Sequence, residues 1–213
     1  MERRTVLRTA VLGAGTAAFS GALWQEAFAA VAQPGPSPYG DLLPADANGL
    51  QVPGGFTTRV IARSGRRVGG TSYTWHCGGE GCWYDSGVCY FTTKGDNRVW
   101  AYDAVNERLD LAYDDSLVPA GAATLTGVDN ITGASSGDLF VAEDGGNMEI
   151  NVITSDGVVA PFLRILGQGS SEITGPAFSP DGRRLFFSSQ RGTSGASTGS
   201  GGITYEVRGP FRT

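Results

Sequence analysis

Apolar and polar residues alternate along three related stretches of the chain: SGVCYFTTKGDNRVWAYD from Ser86, SGDLFVAEDGGNMEINVI from Ser136, and DGRRLFFSSQRG with GGITYEV from Asp181. In each, a glycine-bearing turn leads into an aromatic or β-branched run, then a polar loop rich in glycine, then a second apolar run. Alternation at every second residue marks strands with one buried face. The copies start about 45 to 50 residues apart, close to the length of one four-stranded propeller blade. A short segment precedes each turn, namely GGEGCWYDSG, LTGVDNITGASSG and ITGPAFSPDG, and would supply the blade's innermost strand. The pattern predicts an all-β, β-propeller-like array of about three to four four-stranded blades over residues 54–213.

Ahead of the strands the pattern changes. Paired Arg3 and Arg4, then Leu7 and Arg8, precede a mildly apolar run rich in Ala and Gly that extends to Leu23. Residues 1–32 read as an export signal of the twin-arginine kind, with small residues at Ala27 and Ala29 or Ala30 and Ala32 as cleavage sites. The apolar run is too short and weak for a stable membrane anchor. Residues 33–53, rich in Pro and Gly, read as an extended mature N-terminus. A secreted, periplasmic or cell-envelope location follows.

Composition narrows the partners. The chain has 213 residues and a net charge of −5, and removing the signal makes it one unit more negative. An acidic chain repels nucleic acid and attracts divalent cations. With 33 glycines and 17% charged residues, the composition suits a loop-rich β chain.

Three cysteines, Cys77, Cys82 and Cys89, fall within thirteen residues. Their spacing lacks the CxxC pairs of a zinc site. A two-residue turn at Asp85-Ser86 would place Cys82 opposite Cys89, where a cross-strand disulfide is geometrically possible; three reduced thiols in a core are the alternative. His76 is the only histidine and has no nucleophile motif beside it, so a Ser-His-Asp centre is not supported. The GTSGASTGSGG stretch from 192 to 202 lacks the ending of a phosphate-binding P-loop and reads as a flexible blade-edge loop.

Side chains at the start of each innermost strand face a propeller's channel. Those positions carry Glu80, then Asp129 and Asn130, then Glu172 and Thr174. The loop after each second strand adds Lys94, Asp96 and Asn97, then Glu143, Asp144 and Asn147, then Gln190 and Arg191. Carboxylate and amide oxygens interleaved with Lys and Arg match the needs of a hard cation together with a phosphate. Asp, Asn and Gly are also ordinary turn formers, so Glu80 and Glu143 carry more weight.

The strings YFTTKGDNRVWAYD, LTGVDNIT, LFVAEDGGNMEI and SEITGPAFSPDGRRLFFSSQRG resemble the C-terminal blades of the PhoX family of secreted alkaline phosphatases. PYGDLLPADANGLQVPGGFTTRVIARSGRRVGGTSYTWH resembles the start of that family's catalytic region. The resemblance implies a six-bladed propeller, twin-arginine export and hydrolysis of phosphomonoesters at calcium and iron ions in the channel. It also implies metal-binding roles for Glu80, Glu143 and Asp144, with Asp129 and Asn130 as further ligands; Lys94, Asp96, Asn97 and Arg191 are phosphate or rim candidates by position. The chain departs from the family pattern in one place: the block ending at His76 runs directly into GGEGCWYDSG. The middle blades and the family's iron-binding cysteine segment are missing between them, so iron is not expected and the propeller would be incomplete.

Three readings stay open. The chain could be a calcium-dependent phosphatase acting on a small phosphorylated substrate, with a homo-oligomer completing the ring. It could be a noncatalytic secreted protein that binds calcium or a ligand. It could be a relic of a longer phosphatase gene.

Overall fold

The computed structural model describes residues 36–48, 50–60, 78–118, 125–194 and 201–212. The proposed export signal, His76 and Cys77 lie outside them. The chain divides into two compact units, Met1–Arg59 and Val60–Thr213. In the first, an isolated bridge joins Leu42 to Pro53. Asp46 Oδ1 accepts from the Asn48 and Leu50 backbone N–H groups at 2.8 and 3.0 Å, and Asn48 donates to Thr58 Oγ1 at 2.7 Å.

The second unit is built from eleven described strands and three single-turn 3₁₀ segments. The strands are β1 (Gly79–Asp85), β2 (Val88–Thr93), β3 (Arg98–Asp103), β4 (Arg108–Asp114), β5 (Val128–Gly133), β6 (Leu139–Glu143), β7 (Glu149–Ile153), β8 (Val159–Arg164), β9 (Ile173–Phe178), β10 (Arg184–Ser189) and β11 (Ile203–Arg208). They form three antiparallel meanders: β1 to β4, β5 to β8 and β9 to β11. Each sheet is one blade of the predicted array, with its first strand innermost; β1 touches β5, and β5 touches β9. Among the described residues the third sheet has three strands where four are predicted. No described helix is long and apolar enough to cross a membrane.

The sequence pattern decides which faces are buried. Every residue of β6, LFVAE, is buried, because this strand is covered on both sides. Leu139 and Val141 face the first sheet and pack with Val99, Tyr113, Val128 and Ile131. Phe140 and Ala142 face the third sheet and pack with Ile173, Leu185 and Phe187. A central blade thus reads as a continuous apolar run, as strands covered on both faces do.

The third sheet turns a different face outward. Cross-strand pairs Arg184–Arg208, Phe186–Glu206 and Ser188–Thr204 occupy its far side. Glu206 is paired with Arg184 at 3.5 Å and with Arg208 at 3.2 Å, and Ser188 shares a hydrogen bond with Thr204.

Beyond β11 the chain crosses back to the second sheet. The Phe211 ring sits 5.0 Å from Phe178, 5.5 Å from Phe162 and 6.1 Å from Phe140, filling an edge that the third sheet's strands leave open. Because Phe211 is only half-buried, Phe211→Ala is expected to cost about 2 kcal/mol, read as a lowered urea midpoint with an unchanged slope.

The first hairpin differs from the expected one. Asp85 pairs with Val88, so the turn residues are Ser86 and Gly87, at φ of 49° and 90°. A two-residue turn with both centres left-handed matches the twist of its strands. The one-residue slip makes Phe91 the partner of Cys82 and Tyr84 the partner of Cys89. The two thiols are diagonal neighbours and both are free. Burial pushes the Cys89 thiol up, and nearby Cys82 adds to the effect.

Candidate functional site

The three blades bring a charged cluster together at one end of their innermost strands. Asp129 lies at the start of β5, Asp144 directly after β6, and Glu172 directly before β9. Each offers one carboxylate oxygen, and these oxygens lie within 4.8 Å of one another. The backbone fixes the spacing: Asp144 and Glu172 form an isolated antiparallel bridge between second and third sheets, and Asp144 N–H donates to Gly127 O at 2.9 Å.

Two cations close the cluster. Lys94, in the loop after β2, donates to Asp144 Oδ2 and lies 3.7 Å from Asp129. Arg191, after β10, reaches Asp144 Oδ1 at 3.1 Å and Glu172 at 3.3 Å. The Arg191 guanidinium is also anchored on Ser170 O at 2.8 Å, and its backbone N–H on Ser171 Oγ at 2.9 Å. Asp144 therefore takes one cation on each oxygen.

Electrostatics follow from this crowding. Burial pushes Asp129 up to about 6, with Glu172 and Glu80 adding to the effect and Lys94 opposing it. The hydrogen bond to Asp144 holds the Lys94 ammonium above its ordinary value. Asn130 donates to Asp129 Oδ1 at 2.6 Å and fixes its orientation. Glu80 is exposed on β1 and close enough to Asp129 and Lys94 to act on both.

Other expected rim residues sit elsewhere. Glu143 is fully buried. Its carboxylate accepts from Thr126 N–H at 2.9 Å, Glu149 N–H at 3.2 Å and Asn151 Nδ2 at 3.2 Å, and burial pushes it up to about 7. It clamps the interior of the second blade. Comparing blades explains why: the last residue of each second strand is Thr93, Glu143 or Ser189, and all three are fully buried. The rim is reached only beyond that position, at Lys94, at Asp144, and at Gln190 with Arg191.

Asp96 is held by Thr93 and by Arg98 at 3.1 Å. Asn97 adopts left-handed backbone at φ 53°. It donates to Asp115 at 2.9 Å and accepts from Val128 N–H at 3.1 Å, so it ties the first blade to the second. Glu172, expected on the rim from its place in the repeat, supplies the third carboxylate of the cluster.

Three carboxylates at this spacing form a hard oxygen set suited to Ca²⁺. Neither described cysteine is part of it: Cys82 and Cys89 project from β1 and β2 into the face that carries Phe91 and Trp100.

Residues 106–192 match the family model described as alkaline phosphatase PhoX. That segment contains Asp129, Asp144, Glu172 and Arg191; Lys94 precedes it. No curated protein matches the chain. Among solved structures, a streptogramin B lyase is 21% identical, with a TM-score of 0.42 over 63% of this chain and 42% of that one. A luciferin-regenerating enzyme is 18% identical, with a TM-score of 0.45 over 62% and 45%. The calcium-binding protein regucalcin from Agrobacterium tumefaciens is 20% identical, with a TM-score of 0.38 over 52% and 37%. The chain spans less than half the length of each of these three structures.

Proposed function

We propose, from the match of residues 106–192 to the PhoX family model, that the chain is a metal-dependent phosphomonoesterase whose centre is the rim of Asp129, Asp144, Glu172, Lys94 and Arg191. The observation that carries this reading is the convergence of three carboxylates within 4.8 Å on two cations that share Asp144. Asp129, Asp144 and Glu172 would hold Ca²⁺, with Glu80 nearby and Asn130 orienting Asp129. A bound hard cation supplies Lewis-acid polarisation of a phosphoryl oxygen.

The remaining work falls to this chain's own side chains. Lys94 and Arg191 bind and orient the phosphate of a small monoester as point charge and planar fork respectively. Asp144 keeps both poised until the phosphate arrives and takes them over. Ser170 and Ser171 hold Arg191 in place from the third blade. A homo-oligomer that completes the arc would enclose the rim further, and twin-arginine export would place the enzyme outside the cytoplasm.

The test is hydrolysis of p-nitrophenyl phosphate at alkaline pH by the full chain, with added calcium and with chelator. Turnover should need calcium, and Asp144→Asn should lower kcat/KM by about 100-fold with an unchanged circular dichroism spectrum. Calcium-independent turnover, or full activity in Asp144→Asn, would sink the proposal. The existing pairing of Asp144 with both cations favours a second reading, a noncatalytic protein that binds calcium or a phosphorylated ligand. Saturable phosphate binding without turnover would select it.

A further inference from the structure

At the end of the blades opposite the rim, where β5 leaves the sheet and β6 enters it, the C-terminal residues border a cavity of about 430 Å³. That volume is in the range of small-molecule sites. The rings of Phe140, Phe162 and Phe211 form its aromatic wall, with Val152 and Val207 beside them. The rings are 5.1 to 6.1 Å apart, centre to centre.

One buried charge faces this apolar space. Asp138 lines the cavity and is 2% exposed. Its Oδ2 accepts from Ser136 Oγ at 2.8 Å. Among the described residues its Oδ1 has only long contacts, from Ser155 N–H at 3.3 Å and Arg212 at 3.4 Å. The Arg212 side chain is 63% exposed, so solvent screens it and little holds it in place. The other cation at the mouth, Arg208, is engaged by Glu206. A buried carboxylate with one weakly held partner attracts a better-placed cation, and aromatic walls favour a cation with an apolar body.

We propose that this cavity binds a small organic ammonium ion with an aromatic body. The ammonium takes the place of the Arg212 guanidinium on Asp138, and the body lies against Phe140, Phe162 and Phe211. Arg212 is then an internal competitor for the ligand. Anionic ligands are repelled by Asp138, and neutral ones leave the Asp138–Arg212 pair intact.

The probe is phenethylammonium, titrated into the full chain by calorimetry and ligand-observed NMR, with benzyl alcohol as its neutral counterpart. One-to-one saturable binding is expected, with the alcohol at least tenfold weaker. Arg212→Gln should tighten binding severalfold, and Asp138→Asn should weaken it at least tenfold. The first of these variants alters an exposed side chain and keeps the test decisive if the second does not fold. Absence of saturable binding, equal affinity for the alcohol, or unchanged affinity in Arg212→Gln would each overturn the proposal. So would loss of binding in Asp144→Asn, which would move the amine to the rim.

Discussion

Replacing Gly81 by alanine is expected to cost about 3 kcal/mol of stability and to displace Asp129. A Cβ built at Gly81 would lie 2.6 Å from Ile131 N, 2.8 Å from Asn130 Cα and 2.9 Å from Asp129 O. All three are backbone atoms of β5, which cannot rotate aside as a side chain could. Thr92 reinforces the close approach: its hydroxyl donates to Asp129 O and accepts from Gly81 N–H at 2.9 Å. Alanine must therefore push β1 away from β5 beside the candidate cation ligand. Gly79, in the same strand, has nothing within 4 Å of its Cβ position, so Gly79→Ala should stay within about 0.5 kcal/mol of the parent. Urea unfolding of the two variants separates the effects. Equal midpoints would show that the innermost strands are not in the close contact described.

The second large effect is on pH. In chelator, stability should fall as pH rises from about 4.5 to about 7, by an amount on the order of 3 kcal/mol traceable to Glu143. The sign follows from the direction of the shift. Burial raises the folded Glu143 to about 7 from an ordinary 4.5. Between those values the folded chain keeps a proton that the unfolded chain has lost, so raising the pH favours unfolding. Below about 4.5 both states are protonated and above about 7 both are ionised, and the contribution of Glu143 is level. Asp129, also raised, acts in the same direction between 3.8 and about 6. Asp114 works the other way: hydrogen bonds from Ser116 and Arg98 outweigh its burial and lower it, so its contribution is lost only in stronger acid. From these groups stability is thus expected to peak near pH 4. Glu143→Gln should flatten the slope between pH 4.5 and about 7; an unchanged slope would remove Glu143 as its source.

Much of the fold was legible because period-two alternation is imposed by the pleat itself, and three copies of one phrase yielded three sheets. The turn in CWYDSGVC was harder to place. Asp-Ser and Ser-Gly are both turn-forming pairs, and the choice between them rests on the positive φ that Gly87 supplies most easily. The candidate site was legible only as a loop position: Lys94, Asp144 and Arg191 come from the segment after each second strand of the repeat. Glu143 looked like a ligand because glutamate is not a turn residue. Side-chain identity alone cannot distinguish a carboxylate at the rim from one that caps backbone N–H groups one position earlier. Thr93 and Ser189, its counterparts in the neighbouring blades, are the residues that resolve the ambiguity. Asp96 and Asn97 share that loop position too, but the left-handed turn at Asn97 sends its side chain to the second blade, while Asp96 pairs with Thr93 and Arg98 inside the first.

A stack of similar sheets with two adhesive ends could add copies of itself without limit, since head-to-tail contacts that fail to close produce filaments. The outer face of the third sheet, with Glu206 flanked by Arg184 and Arg208, breaks that chain of additions. Its charges are satisfied where they stand and would lose water on being covered by another sheet, a cost that disfavours stacking a sheet there.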